Sequence, residues 1–200
     1  MPQKNIRGKE TRARIFEAAA HEFASRGFRE VTTGDILAKI GMTQPAFYKH
    51  FPNKQALYDE LIEGFRTGFN QLIQSIQLAP KNNADDASTT IYDAVENVFA
   101  FLQTNPDLTR VAMIQDAKAD VMKTELAVLI AENIRAGQQG GSLNRDVVPD
   151  ITGESLVGMI ERLTVKFLLT GGKTPQELAR EVVNLLGPAL IAPLHNETRP

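Results

Sequence analysis

The sequence predicts an all-α chain, and three observations predict it. Apolar residues recur at the helical period along most of the 200 residues, and convincing period-two strands are absent. Threonine and proline stand where the periodic stretches begin, and glycine stands where they stop. The composition, 42% hydrophobic and 23% charged, suits a buried core rather than a disordered tail. At roughly 100–200 residues per domain, the length allows one domain or two small ones.

Taken in order, Ile15, Ala19 and Phe23 recur at i, i+4 and i+8 and predict a helix over 11–25, stopped by Gly27. Thr32, Thr33 and Asp35 precede Ile36, Leu37 and Ile40, a two-turn helix with a threonine cap that ends at Gly41. Thr43 caps a third short helix over 44–50, with Pro45 in its first turn and Phe47 and Phe51 on its inner face. Lys54 opens a long helix to about residue 78. The polar stretch 79–88 reads as a mobile loop. Helices over about 89–104, 106–117 and 119–136 follow, then a flexible-looking glycine run, 137–142. Two last helices, about 150–170 and 175–192, are separated by Gly171-Gly172.

Several chemistries are excluded. The absence of cysteine removes disulfides, thiolate metal sites and cysteine nucleophiles, and it suits a reducing cytoplasm. The three histidines show no metal-ligand spacing. Gly172-Lys173-Thr174 ends like a phosphate-binding loop, but Phe167 stands where the first glycine is needed. Catalytic residues, metals and cofactors are not expected, and neither is an enzyme. No signal peptide is evident, and no apolar stretch approaches the ~20 residues that span a bilayer.

The net charge of −2 conceals an asymmetry. Residues 1–54 hold ten basic and five acidic residues, which leaves 12 basic and 19 acidic residues beyond them. A basic first quarter on an acidic body points to a polyanion-binding module, or to no more than a solvated basic face. Five of the ten phenylalanines fall in the first 51 residues, enough for a small three-helix core.

Two short helices joined by a tight turn at Gly41 form a helix-turn-helix, whose second helix presents side chains to the major groove. With Phe47 and Phe51 inward, Gln44, Pro45, Ala46, Tyr48, Lys49 and His50 face out. Glutamine suits adenine, and Pro45 and Ala46 suit thymine methyls. Tyr48, Lys49, His50 and Lys54 suit phosphate oxygens, as do the helix N-termini at Thr33 and Thr43. Lys4, Arg7 and Lys9 read either as an arm that follows the DNA or as a solvated tail.

The pattern from Thr11-Arg12 through Ile15, Phe23, Gly27-Phe28, Thr32-Thr33 and Ile36 resembles the N-terminal domain of TetR-type transcriptional regulators. So does its continuation through Gly41, Thr43, Phe47-Tyr48, His50-Phe51, Lys54 and Leu57. The resemblance covers about residues 8–60 and implies a helix-turn-helix domain, 1–54, followed by a larger antiparallel helical ligand-binding and dimerisation domain, 55–200. It also implies a cytoplasmic, nucleoid-associated homodimer on double-stranded operator DNA, a repressor released by a small ligand and joined through the last two helices. Tyr48 and Lys54 match frequent phosphate contacts of the family. An activator, and a helical scaffold or small-molecule-binding protein that no longer binds DNA, stay open as alternatives.

In the second part Phe99, Leu102, Met113, Ile114, Met122, Leu126, Met159, Leu163 and Phe167 are large apolar residues at helical spacing, as is Ile130. They form a core first. Where these nine line a pocket, the adaptable methionines suit an apolar or aromatic ligand. Arg110, Gln115, Asp116, Glu161, Arg162 and Lys166 are the polar groups that would orient it. Gly153, Ser155 and Gly158, then Gly187 and Ala189, would allow close packing across a dimer seam, or equally mark helix irregularities.

Overall fold

The computed structural model describes residues 2–76 and 84–191. Among them the secondary structure is helical, apart from one isolated antiparallel bridge between Leu143 and Ile191. The helices are α1 (Pro2–Arg26), α2 (Thr33–Ile40), α3 (Gln44–Tyr48), α4 (Lys54–Ser75), α5 (Ala84–Thr104), α6 (Pro106–Arg110), α7 (Ala119–Gln139), α8 (Pro149–Leu163) and α9 (Pro175–Leu190).

Several boundaries differ from expectation. α1 starts at Pro2, so the residues read as an arm continue the first helix, although the side chains of Lys4 and Arg7 lie outside the described residues. α5 starts at Ala84, inside the stretch read as a loop. The helices after α6 and α8 widen into π-helical turns at Val111–Gln115 and Thr164–Leu168. The glycine run is not a loose linker, because α7 continues through it to Gln139. Its exit is fixed by Gly141 at φ 78 and by the Ser142 and Leu143 amides donating to the Gly137 carbonyl. His195 lies outside the described residues.

The chain divides into two compact units, Met1–Thr67 with Asn105–Ala119, and Gly68–Thr104 with Asp120–Pro200. The first unit is larger than residues 1–54 because Leu57, Tyr58 and Leu61 of α4 and Val111 join the core of α1 to α3. That core is aromatic. Phe23, Phe47 and Phe51 are at most 1% exposed. Phe16 meets Phe51 edge-on at 5.3 Å, and Tyr58 meets Phe23 at 5.3 Å and Phe28 at 4.5 Å.

In the second unit α5 packs along α9, and α7 and α8 approach closely at Gly153. A Cβ at Gly153 would stand 2.5 Å from the Ala127 carbonyl oxygen, so this glycine serves packing within the chain rather than a dimer seam. Gly158 on the same helix has open space around it. Lys123 of α7 bridges Asp120 and Glu161 at 2.9 and 3.1 Å. Burial works against its charge, but the two carboxylates outweigh that and raise its pKa. α9 begins with a capping box in which Thr174 and Glu177 satisfy each other's backbone amides.

Candidate nucleic-acid interface

The helix-turn-helix is built by local chemistry. Thr32 is the N-cap of α2, its hydroxyl accepting from the Asp35 amide while the Asp35 carboxylate accepts from the Thr32 amide at 2.7 Å. Hydrogen bonds from the Thr32 hydroxyl and amide, aided by Arg26, lower the Asp35 pKa to about 2. Gly41 closes α2 at φ 63, a left-handed conformation that costs glycine no Cβ clash. Thr43 then caps α3 by position alone, its side chain making no cap hydrogen bond.

Burial sorts the residues of α3. Phe47 is fully buried, while Gln44, Pro45, Tyr48 and Lys49 are exposed, Tyr48 by 53%. Residues 44 and 48, and 45 and 49, are one helical turn apart, so the four share a face. Ala46 and His50 are half-buried beside that face, and α3 ends at Tyr48, so Lys49 and His50 occupy the following turn. The open N-terminus at Thr43 lies at the start of the same face. The α2 N-terminus at Thr33 differs, because Asp35 already brings a carboxylate to it.

Lys54 departs from a simple phosphate contact. Its ammonium donates to the Phe28 and Val31 carbonyls, both at 2.6 Å, and lies 4.2 Å from the centre of the Phe28 ring. It therefore holds the turn between α1 and α2, with one N–H left over. Other cations in the first 54 residues act similarly. Arg12 donates to the His50 carbonyl at 3.0 Å, pairs with Glu60 and lies 4.4 Å from the centre of the Phe51 ring. Arg14 donates to the Ile40 carbonyl at 2.9 Å, at the end of α2. Lys39 pairs with Glu22. Lys9, Arg29 and Lys49 have no such partner among the described residues. From the sequence all of these count only as charge, apart from Arg12, which stands in the Thr11-Arg12 start of the family-like pattern.

Within the same unit, α4 and the segment after α6 are tied together. The Tyr58 hydroxyl donates to Asp116 at 2.9 Å, and burial followed by that carboxylate pushes the phenol above its ordinary range. Gln115 donates to the Ala24 carbonyl at 3.0 Å, and His21 meets Asp107 at 3.0 Å. Gln115 and Asp116, considered from the sequence as ligand-orienting groups, hold the first unit together instead, and His21 has a partner that the sequence did not suggest.

The second unit contains a cavity of about 80 Å³. None of the nine residues expected to line a pocket lines it, although Ile130 does. Met113 and Ile114 belong to the first unit. Phe99, Leu102, Met122 and Leu126 are buried in the core, Met159 and Leu163 are half-buried, and Phe167 is exposed. Large apolar residues at helical spacing mark a buried face, and spacing alone does not separate a packed face from one beside a void. Among the described residues no cluster of three or more acidic or histidine side chains could hold a metal ion, and no helix is long and apolar enough to cross a membrane.

Comparison with known proteins agrees with this architecture. The family described as bacterial regulatory proteins, tetR family, matches residues 15–61. Over 180 residues the chain is 43% identical to the uncharacterized HTH-type transcriptional regulator YdgC of Bacillus subtilis, covering 90% of this chain and 92% of that one. A crystal structure of a gamma-butyrolactone receptor (ArpA like protein) superposes with a TM-score of 0.69 at 21% identity, covering 92% and 90% of the two chains. A regulatory protein of the tetR family from Rhodococcus superposes with a TM-score of 0.68 at 19% identity, covering 91% and 97%. From its helix-turn-helix and its similarity to such a regulator over 90% of its length, the chain belongs to the tetR family of bacterial HTH-type transcriptional regulators.

Proposed function

We propose that this regulator is a repressor that binds a palindromic operator in double-stranded DNA as a homodimer and is released by a small apolar or aromatic ligand. Residues 1–54 would carry DNA binding, and residues 55–200 ligand binding and dimerisation. The observation that carries the reading is the outward face of α3, where Gln44, Pro45, Tyr48 and Lys49 stand exposed over a buried Phe47. Gln44 suits adenine edges, and Pro45 and Ala46 suit thymine methyls. Tyr48, Lys49, His50 and the α3 N-terminus at Thr43 suit phosphates, with Thr33 and the remaining N–H of Lys54 at the edge of the footprint.

The ligand reading is supported by the cavity in the second unit and by the likeness in fold to a gamma-butyrolactone receptor. Dimerisation through α8 and α9 is supported by Ile151 and Leu185, apolar side chains 67% and 68% exposed, which a second copy would cover. Two-fold symmetry would set the recognition helices about one DNA turn apart, ~34–36 Å, or further apart on a long operator. A ligand releases the operator only by favouring a dimer whose helices are mis-spaced. On this reading the protein works in the cytoplasm, on the nucleoid.

Selection of bound duplexes from a random pool at two salt concentrations tests the proposal. Enrichment of a palindrome whose binding weakens steeply with salt is expected. Salt-sensitive binding with no enriched sequence would overturn the operator reading. Absence of binding at both salts would favour the scaffold alternative.

A further inference from the structure

The cavity of the second unit has an unusually uniform wall. Apart from Ala94 and Asn133, every residue lining it is isoleucine, leucine or valine, contributed by α4, α5, α7, α8 and α9 together with Ile76 and Leu143. Among the described residues no charged or aromatic side chain reaches it. A carboxylate or ammonium placed there would lose its hydration with no partner to replace it. The space is also small, about 80 Å³ against about 150 Å³ for an apolar cavity that takes benzene, which favours a short chain over a ring. By the same proportion, roughly three carbons fit. β-Branched walls hold one side-chain rotamer on a helix, so the shape does not remodel easily.

Asn133 is the polar exception. Its Nδ2 donates to the Ile73 carbonyl at 2.9 Å, and its second N–H and its Oδ1 have no partner among the described residues. A ligand oxygen can accept from that N–H, or a hydroxyl can donate to Oδ1. We infer that this cavity takes a short branched aliphatic group of a neutral molecule whose hydroxyl or carbonyl oxygen hydrogen-bonds Asn133. The inference rests on the reading of the second unit as the ligand-binding part, and it narrows the apolar-or-aromatic expectation to aliphatic.

The test titrates the full-length protein with isobutanol, isobutyrate and benzyl alcohol while following the isoleucine methyl NMR signals of Ile73, Ile91, Ile130 and Ile160. Isobutanol shifts these signals saturably, and the other two bind at least about tenfold more weakly. Equal or tighter binding of isobutyrate or benzyl alcohol at these methyls would overturn the inference, as would no shift with any of the three. Asn133→Ala weakens isobutanol about three- to tenfold. Ala94→Leu fills the cavity and abolishes the shifts, and Val183→Phe on the neighbouring helix provides the same check if the first variant fails to fold. Binding of the selected duplex is measured in the same samples. Methyl shifts with unchanged duplex binding would keep the inference and overturn ligand release. Release of the duplex by isobutanol without methyl shifts would overturn the inference and leave ligand release standing.

Discussion

The two units solve opposite packing problems with the same kind of element. The first is small and aromatic, with Phe16 and Phe47 against Phe51, and Phe23, Phe28 and Tyr58 against one another, at ring-centre distances of 4.5–5.7 Å. Long side chains then hold its turns through backbone carbonyl oxygens, Arg12 on His50, Arg14 on Ile40, and Lys54 on both Phe28 and Val31. The second unit has a wall of branched aliphatic residues around a void, together with one backbone contact so tight that only glycine fits. Rings in edge-on contact and hydrogen-bonded turns define one geometry, which a surface that reads DNA requires. Aliphatic walls around open space leave capacity for a guest. The difference places geometry in one unit and volume in the other.

The largest break in this comparison comes from Phe47→Ala. Removing a fully buried ring under the exposed face of α3 costs about 3–5 kcal/mol, measured by urea unfolding. A loss below about 1 kcal/mol would mean that the aromatic core does not set the geometry of α3. Next comes Gly153→Ala, which drives a methyl against the Ala127 carbonyl and costs about 1–3 kcal/mol. Gly158→Ala is the control on the same helix. With open space around it, it is neutral or stabilises by up to about 1 kcal/mol. Equal effects at the two positions would remove the close α7–α8 contact from the account.

The smallest expected effect is a pH dependence at Asp35. Its pKa is held at about 2 in the folded protein, below the ordinary carboxyl range near 3.9 of an unfolded chain. A depressed pKa means stabilisation that is fully present above the unfolded value and lost as the pH falls through about 2. Asp35→Asn therefore flattens the acid limb of stability between about pH 4 and 2, and leaves its shape near neutrality unchanged. An unchanged acid limb would mean that the carboxylate of the capping box does not stabilise α2.

The difference between the units also explains what is legible in the sequence alone. The start and stop of α2 were legible because capping is local: Thr32 with Asp35, and Gly41, act within a few residues. The inward Phe47 and Phe51 were legible from their spacing of one turn. The roles of Arg12, Arg14 and Lys54 were not, because each reaches a carbonyl 23 to 38 residues away in sequence. The cavity was missed for a different reason. Large phenylalanines and methionines attract attention, yet they fill space, and a void is left where smaller branched residues meet. The π-helical turns at Val111–Gln115 and Thr164–Leu168 carry no sequence mark distinguishing them from ordinary helix.

The most direct test of the central claim compares Gln44→Ala and Lys49→Ala on a selected duplex and on a scrambled one, across a range of salt. Gln44→Ala should lose about 1–3 kcal/mol on the selected duplex and nothing on the scrambled one. Lys49→Ala should weaken both alike and make the salt dependence shallower by about one phosphate contact. Wild-type binding by both variants would contradict the assignment of this face to DNA.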